Sequence, residues 1–197
     1  MEPTSTTGAA PRSDSELVTA ALRFARRVHL GQHRKQTYQQ FVEHPIAVAR
    51  LLFDAGYDDA ILAAAYLHDV VEKTSVEIEE IRERFGPAVA DLVEALSDDP
   101  SIEDYGERKR ELRRRALGAG EKAAAIYAAD RISNMSDWRS IPPDEREACA
   151  RRLGTTLGQR LELWEEDVAQ LSRGYPGLSF VGAVEAELSA LRAGAPA

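Results

Sequence analysis

Strand signals are nearly missing from this 197-residue sequence: no stretch sustains apolar/polar alternation, and no Asn-Gly or Asp-Gly hairpin turn occurs. A sheet-based fold is therefore not expected. The single cysteine, Cys149, rules out an internal disulfide, and a reducing, cytoplasmic setting is the simpler expectation. No apolar run approaches the roughly 18 residues a membrane-spanning helix needs. The longest, 60–67, follows directly on two aspartates. The first thirteen residues lack the basic and apolar regions of a secretory signal and read as a flexible tail. Aromatic residues make up only 7%, so the core must be aliphatic and alanine. Positive charge is also short: 25 Lys plus Arg against 33 Asp plus Glu leave a net charge of −8. Such a balance argues against a nucleic-acid polymer as partner, because phosphate neutralisation needs a basic face. A small phosphorylated ligand stays admissible, since it senses the local field of one cleft.

Helix signals are abundant. The hydrophobic content of 44% supports a core, and a chain of this length needs no disulfide or metal staple to hold it. Ser13 and Glu16 form a capping box ahead of Leu17, Ala20, Ala21, Phe24 and Val28, predicting a first helix to about Gly31. A polar linker, 32–43, follows. Pro45 suits the first turn of a second helix that Gly56 stops. A third helix is expected from Asp58 or Asp59 to Lys73, a fourth capped by Ser75, and a fifth opened by Pro87. Beyond these the pattern predicts a charged helix over 103–117, an alanine-rich one over 121–138, a longer one over 144–172 and a last over 181–191. The expectation is one all-α domain over residues 14–193.

The third helix carries the most informative spacing. Its apolar stripe of Ile61, Ala64, Ala65 and Leu67 runs into His68, Asp69 and Glu72. The alanine-rich helix repeats the pattern, with Ala123, Ile126 and Tyr127 followed by Asp130, Asn134 and Asp137. Ionisable groups that continue a core stripe cost several kcal/mol unless paired or metal-bound. Only four histidines occur, and a set of His44, His68, Asp69 and Asp130 would give two imidazoles and two carboxylates. That mixed shell suits Mn²⁺, Fe²⁺ or Zn²⁺ rather than Ca²⁺. Spacing alone also allows a hydrogen-bonded polar cluster without metal. His29 and His33 suit the C-terminal end of the first helix. The basic run 108–115 reads mostly as a solvated face, with a border of the anionic cleft as its alternative, and Gly154 with Gly158 as a close helix contact. Leu161 and Trp164 read as core or subunit contacts, which leaves self-association open.

Four segments together resemble a known family: His29-Leu-Gly-Gln-His-Arg-Lys35, Glu43-His44-Pro45, Leu67-His68-Asp69-Val-Val-Glu72-Lys73-Thr74 and Ala129-Asp130-Arg131-Ile-Ser-Asn134. They occur in the order and approximate spacing of the HD-domain (p)ppGpp hydrolases, and the resemblance covers roughly residues 16–140. That family includes the Rel/SpoT hydrolase domains and short stand-alone relatives, among them an animal type that also removes a phosphate from NADPH. The resemblance implies an HD-domain bundle of about eight to ten helices, and a chain of this length has no room for the synthetase half of the long members. It implies His44, His68, Asp69 and Asp130 as ligands of a divalent metal, usually Mn²⁺. Glu72 falls on the residue that positions or activates the attacking water. Arg34 and Lys35 fall on the basic pair near the substrate, Phe41 near a pocket-shaping tyrosine, and Arg131 and Asn134 beside the nucleotide. The implied activity is guanosine-3′,5′-bis(diphosphate) 3′-pyrophosphohydrolase, taking (p)ppGpp to GDP or GTP plus pyrophosphate.

Two departures from the family pattern bear on substrate and rate. The usual H-D-x-x-E-D reads H-D-V-V-E-K, so Lys73 stands where a second acid is expected. The glycine-containing turn before the N/H-H-P element becomes Gln36-Thr-Tyr-Gln-Gln-Phe41-Val-Glu43. These leave two alternatives: an HD phosphohydrolase of another nucleotide such as NADPH, or a non-catalytic nucleotide sensor.

Overall fold

Alanine sets the packing of this protein. In the computed structural model, which describes residues 10–11 and 15–194, the alanine-rich segments are the innermost elements. The helix α3 (Asp59–Leu67) buries seven of its nine residues, and α8 (Glu121–Ser140) buries thirteen of twenty. A helix that is apolar all round belongs inside a bundle. Small side chains let neighbouring axes come to the near end of the usual range of about 8–10 Å. Around this pair lie α1 (Glu16–Val28) and α2 (Glu43–Asp54) against α3, with α2 and α11 (Val181–Ala193) against α8. The layer is completed by α6 (Pro87–Leu96) on α3 and by α7 (Tyr105–Gly118) and α10 (Leu157–Gly174) on α8. The short elements α4 (Val70–Lys73), α5 (Ile78–Phe85) and α9 (Arg146–Arg152) fill the joins. No strand occurs among the described residues, only an isolated antiparallel bridge between His33 and Gln40. The all-α expectation holds.

Among the described residues there are eleven α-helices, against about eight to ten expected, because two long segments break. The segment 59–73 divides at His68–Asp69. There the His68 Nδ1–H turns back on the Ala65 carbonyl at 2.8 Å, and Asp69 sits near the bridge region at φ −92°, ψ −8°. The segment 144–172 divides at Gly154, whose φ of +74° suits glycine, and Thr156 restarts the chain by accepting from Gln159 N at 3.1 Å. Gly154 is thus a helix stop rather than half of a helix-contact motif. Ser75 does not cap the fourth helix, which begins two residues later behind Glu77. Other caps match the reading: Asp58 accepts from Ile61 N at 3.1 Å, and Pro87 opens α6. Ser13 and most of the tail lie outside the described residues.

Candidate active site

Three helix positions bring the polar residues together. His44 stands in the first turn of α2, His68 and Asp69 at the break after α3, and Asp130 midway along α8. Ligand atoms of His44, His68 and Asp130 all lie within 4.8 Å of one another, and all three residues are buried. Asp69 joins them: its Oδ2 is 3.7 Å from His44 Nε2 and 3.5 Å from His68 Nε2. His44 Nε2 lies 2.9 Å from Asp130 Oδ1, and His44 Nδ1 lies 2.9 Å from the Ser133 hydroxyl. Asp130 Oδ1 also accepts from Asn134 Nδ2 at 2.8 Å, while its Oδ2 accepts from Arg131 Nε at 3.0 Å and from Nη2.

The donor set fits a divalent metal, on one observation above all. His68 commits Nδ1 to the Ala65 carbonyl, and its buried Nε2 has no hydrogen-bond partner although it points between two carboxylates. A nitrogen so placed suits a cation. The two imidazoles differ electrostatically. Burial, helped by the Arg34 charge, pushes His44 down to about 4. Burial also works against a charged His68, yet Asp69 and Asp130 outweigh it and push this imidazole up to about 9. For Asp69, burial is overcome by the two histidines, and the carboxyl is held at about 2. Asp130 is held well below the carboxylate range, its burial outweighed by Arg131 and the histidines.

These groups open into a cavity of about 490 Å³. Glu72 and Lys73 line it from α4 and form an ion pair with each other. Burial opposes the Lys73 ammonium, but Glu72 and Asp69 hold its pKa above the ordinary lysine value. From the linker come Arg34, Lys35 and Phe41. Arg34 is buried and engaged: Nη2 donates to Asn134 Oδ1 at 2.7 Å, and Nε pairs with Asp137 Oδ2 at 3.0 Å. Lys35 is exposed and makes no ion pair among the described residues. His29 caps the end of α1, as expected, and lies against Phe41 with ring centroids 4.7 Å apart and planes tilted by 36°, whereas His33, expected at the same helix end, lies beyond it in the bridge to Gln40.

On the opposite wall, only Lys109 comes from a segment, the basic run, for which a border of the cleft was an alternative. Tyr105 and Lys109 of α7, Trp138 of α8, and Arg160 and Trp164 of α10 line the same cavity. Trp138 lies two helical turns beyond Asp130, so the cleft extends about 12 Å along α8 at 1.5 Å per residue. The Arg160 guanidinium sits 4.7 Å from the Trp138 ring centroid and 5.1 Å from that of Tyr105. It has no carboxylate partner among the described residues, and its Nε is buried without an acceptor. Burial lowers its pKa from the ordinary arginine value. Trp164 packs edge-on against Trp138 at 6.0 Å and is buried in the cleft wall, in line with the core reading. Arg113, in the run expected to be solvated, is 2% exposed and pairs with Asp167 at 2.6 Å. A signal for Asp167 existed: Trp164, Asp167 and Leu171 share one stripe, as His68 and Glu72 share theirs.

Comparison with known proteins agrees with this arrangement. The HD domain model matches residues 21–164. The MESH1 guanosine-3′,5′-bis(diphosphate) 3′-pyrophosphohydrolase of Xenopus tropicalis is 37% identical over 135 residues, covering 67% of this chain and 75% of the relative. Its counterpart from Danio rerio is 30% identical and covers 91% of this chain and 94% of the relative. A probable enzyme of the same activity from Synechocystis is 34% identical over 156 residues, and there this chain matches only 20% of the longer protein. A solved structure described as a metazoan SpoT ortholog that hydrolyses ppGpp superposes with a TM-score of 0.74 at 28% identity, covering 92% of this chain and 98% of that one. A Listeria monocytogenes structure shares the fold at a TM-score of 0.62 and 22% identity. No helix among the described residues is long and apolar enough to cross a membrane. The HD fold implies a divalent metal, and the cluster of His44, His68 and Asp130 could hold it. With the polar cluster, the helical frame and these relatives in agreement, the chain belongs to the HD-domain family that includes the guanosine-3′,5′-bis(diphosphate) 3′-pyrophosphohydrolases.

Proposed function

We propose that residues 14–193 act as one metal-dependent phosphohydrolase unit that removes the 3′-pyrophosphate of (p)ppGpp, with Mn²⁺ as its ion. The observation that carries the reading is one cavity holding both the His44–His68–Asp130 cluster and a distant unpaired guanidinium, Arg160. A substrate with phosphates at both ends of a nucleoside answers to that layout. Asp69 completes the ligand set. Bound there, a divalent ion supplies a lowered pKa for water and polarisation of a phosphoryl oxygen.

The chain's own groups do the rest. Glu72 has one carboxylate oxygen taken up by Lys73 and keeps Oε2 for the proton of the attacking water. As the water oxygen bonds to phosphorus, the bond from that phosphorus to the ribose 3′-oxygen breaks, the 3′-oxygen leaves as the hydroxyl by taking up the proton that Glu72 has collected, and the Lys73 ammonium supplies positive charge beside the pyrophosphate product. Lys35, exposed and lining the cavity, adds a second cation. Asn134 and Asp137 hold the Arg34 side chain against the nucleotide side of the cleft, and Arg131 fixes the Asp130 carboxylate. Phe41 and Tyr105, both half-buried, offer flat surfaces to the base. The single cysteine, buried and free, is consistent with a reducing, cytoplasmic setting.

Mn²⁺-loaded protein incubated with ppGpp should release GDP and pyrophosphate. Normal Mn²⁺ binding with no turnover on ppGpp, and turnover on NADPH or another nucleotide instead, would move the assignment to that substrate. The Lys73–Glu72 ion pair favours one second reading, a nucleotide sensor whose base is occupied. In that case wild type binds ppGpp without hydrolysis and Lys73→Asp gains rate. A fast wild type that Lys73→Asp does not accelerate excludes the sensor.

A further inference from the structure

We infer that Asp167, on α10 and outside every sequence motif, is a positioning residue for the Asp130 carboxylate and acts through Arg131. The inference rests on the proposed metal site. Asp167 is 2% exposed, and its two oxygens are divided between neighbours. Oδ1 accepts from Arg113 Nη1 at 2.6 Å and from the Tyr127 hydroxyl at 2.8 Å. Oδ2 faces Arg131 Nη1 at 3.6 Å. Arg131 turns its other nitrogens to Asp130 Oδ2, which leaves Asp130 Oδ1 among His44, His68 and Asn134. The Arg131 guanidinium therefore bridges two buried carboxylates, and the Tyr127 ring lies 4.7 Å from its carbon and limits its tilt.

Sharing has a chemical consequence. A guanidinium with one carboxylate draws that group's charge to itself, whereas one divided between Asp130 and Asp167 leaves Asp130 more negative toward the cluster. It also fixes which Asp130 oxygen faces the histidines. Outer partners of this kind orient metal-ligating carboxylates and typically govern affinity by 10- to 100-fold. Neutralising Arg113 does not account for the arrangement, because Arg113 also donates to the Leu163 carbonyl at 3.2 Å and pairs with Glu166. Among the described residues, Asp167 is the one carboxylate whose contacts join α7 and α10 to α8 beside the site.

The test is Mn²⁺ titration of metal-free protein by calorimetry, with no substrate present. Asp167→Asn should weaken Mn²⁺ binding about 10- to 100-fold, and Asp167→Glu should restore most of it. Arg113→Leu removes the other ion pair of Asp167 and should lower the thermal midpoint while leaving Mn²⁺ affinity within about threefold of wild type. If Asp167→Asn does not fold, the double variant Arg113→Leu/Asp167→Asn, which strands no guanidinium beside Leu163, carries the same comparison. Equal affinity in the Asp167 variants and wild type, or an equal loss in Arg113→Leu, overturns the inference. A wild type that binds no Mn²⁺ overturns the metal site itself.

Discussion

Replacing Arg160 by methionine separates a ligand-facing cation from a structural one. In the free protein the guanidinium gains two ring contacts, with Trp138 at 4.7 Å and Tyr105 at 5.1 Å. Contacts of this kind are worth about 0.5–1 kcal/mol each. Against them stands a buried Nε with no acceptor, which costs about 1–3 kcal/mol. The two roughly cancel, so Arg160→Met should change folding stability by no more than about 1 kcal/mol, measured by urea unfolding without ligand. With substrate present the balance tips. A hydrogen-bonded contact to a charged phosphate is worth about 1.5–3 kcal/mol, and at 1.4 kcal/mol per factor of ten this is a rise in KM of about 10- to 100-fold. The effect should vanish for guanosine 3′-diphosphate, which has no phosphate at its far end, while kcat stays within a few-fold for both. An equal rise in KM for the two substrates refutes the reasoning, as does a loss of stability above about 3 kcal/mol.

Metal uptake should depend on pH, because His68 is held protonated up to about 9 and must lose that proton to ligate. The apparent Mn²⁺ affinity should rise about tenfold per unit from pH 7 toward 9, and calorimetry in buffers of different ionisation enthalpy should count about one proton released at pH 7. An affinity independent of pH contradicts this. The same raised pKa stabilises the metal-free fold fully below the unfolded value near 6.5, and that contribution is lost as pH rises through 9. Arg146→Ala should cost about 3 kcal/mol, roughly 1 kcal/mol per lost hydrogen bond, since this buried guanidinium donates to the carbonyls of Ile141, Leu191 and Arg139 at 3.0, 3.2 and 3.0 Å. Chemical denaturation measures it, and KM for ppGpp should not move, because none of these groups reaches the cavity.

Local chemistry was readable wherever neighbours in sequence settle the outcome. Asp58, Asp104 and Thr156 each cap a helix through a side chain that reaches three residues ahead. Of these, Asp58 could be anticipated from position alone, while Thr156 was hidden inside what looked like one long helix. The alternation of apolar stripe and ionisable residue pointed to His68, Asp69, Glu72 and Asp130 because polar groups on a buried face demand partners. Asp167 makes the same demand, and its partners Arg113, Tyr127 and Arg131 lie on two other helices. The basic run hid Arg113 for a related reason: charge type alone does not say which helix face meets the core.

The sequence by itself determined the all-helical class, most helix starts and the polar residues that break two apolar stripes, since these depend on spacing, capping and turn chemistry within a few residues. It also carried the family pattern that tied His44, His68, Asp69 and Asp130 together. Only the tertiary structure decided what surrounds them. Helix α10, whose Arg160 and Trp164 carry no motif, packs beside α7 and α8 and becomes a wall of the cleft. Arg34, a basic loop residue by sequence, is drawn inside by Asn134 and Asp137 about a hundred positions later. Which charges end up paired, and which remain for a ligand, follows from how the helices dock, and no local pattern encodes that.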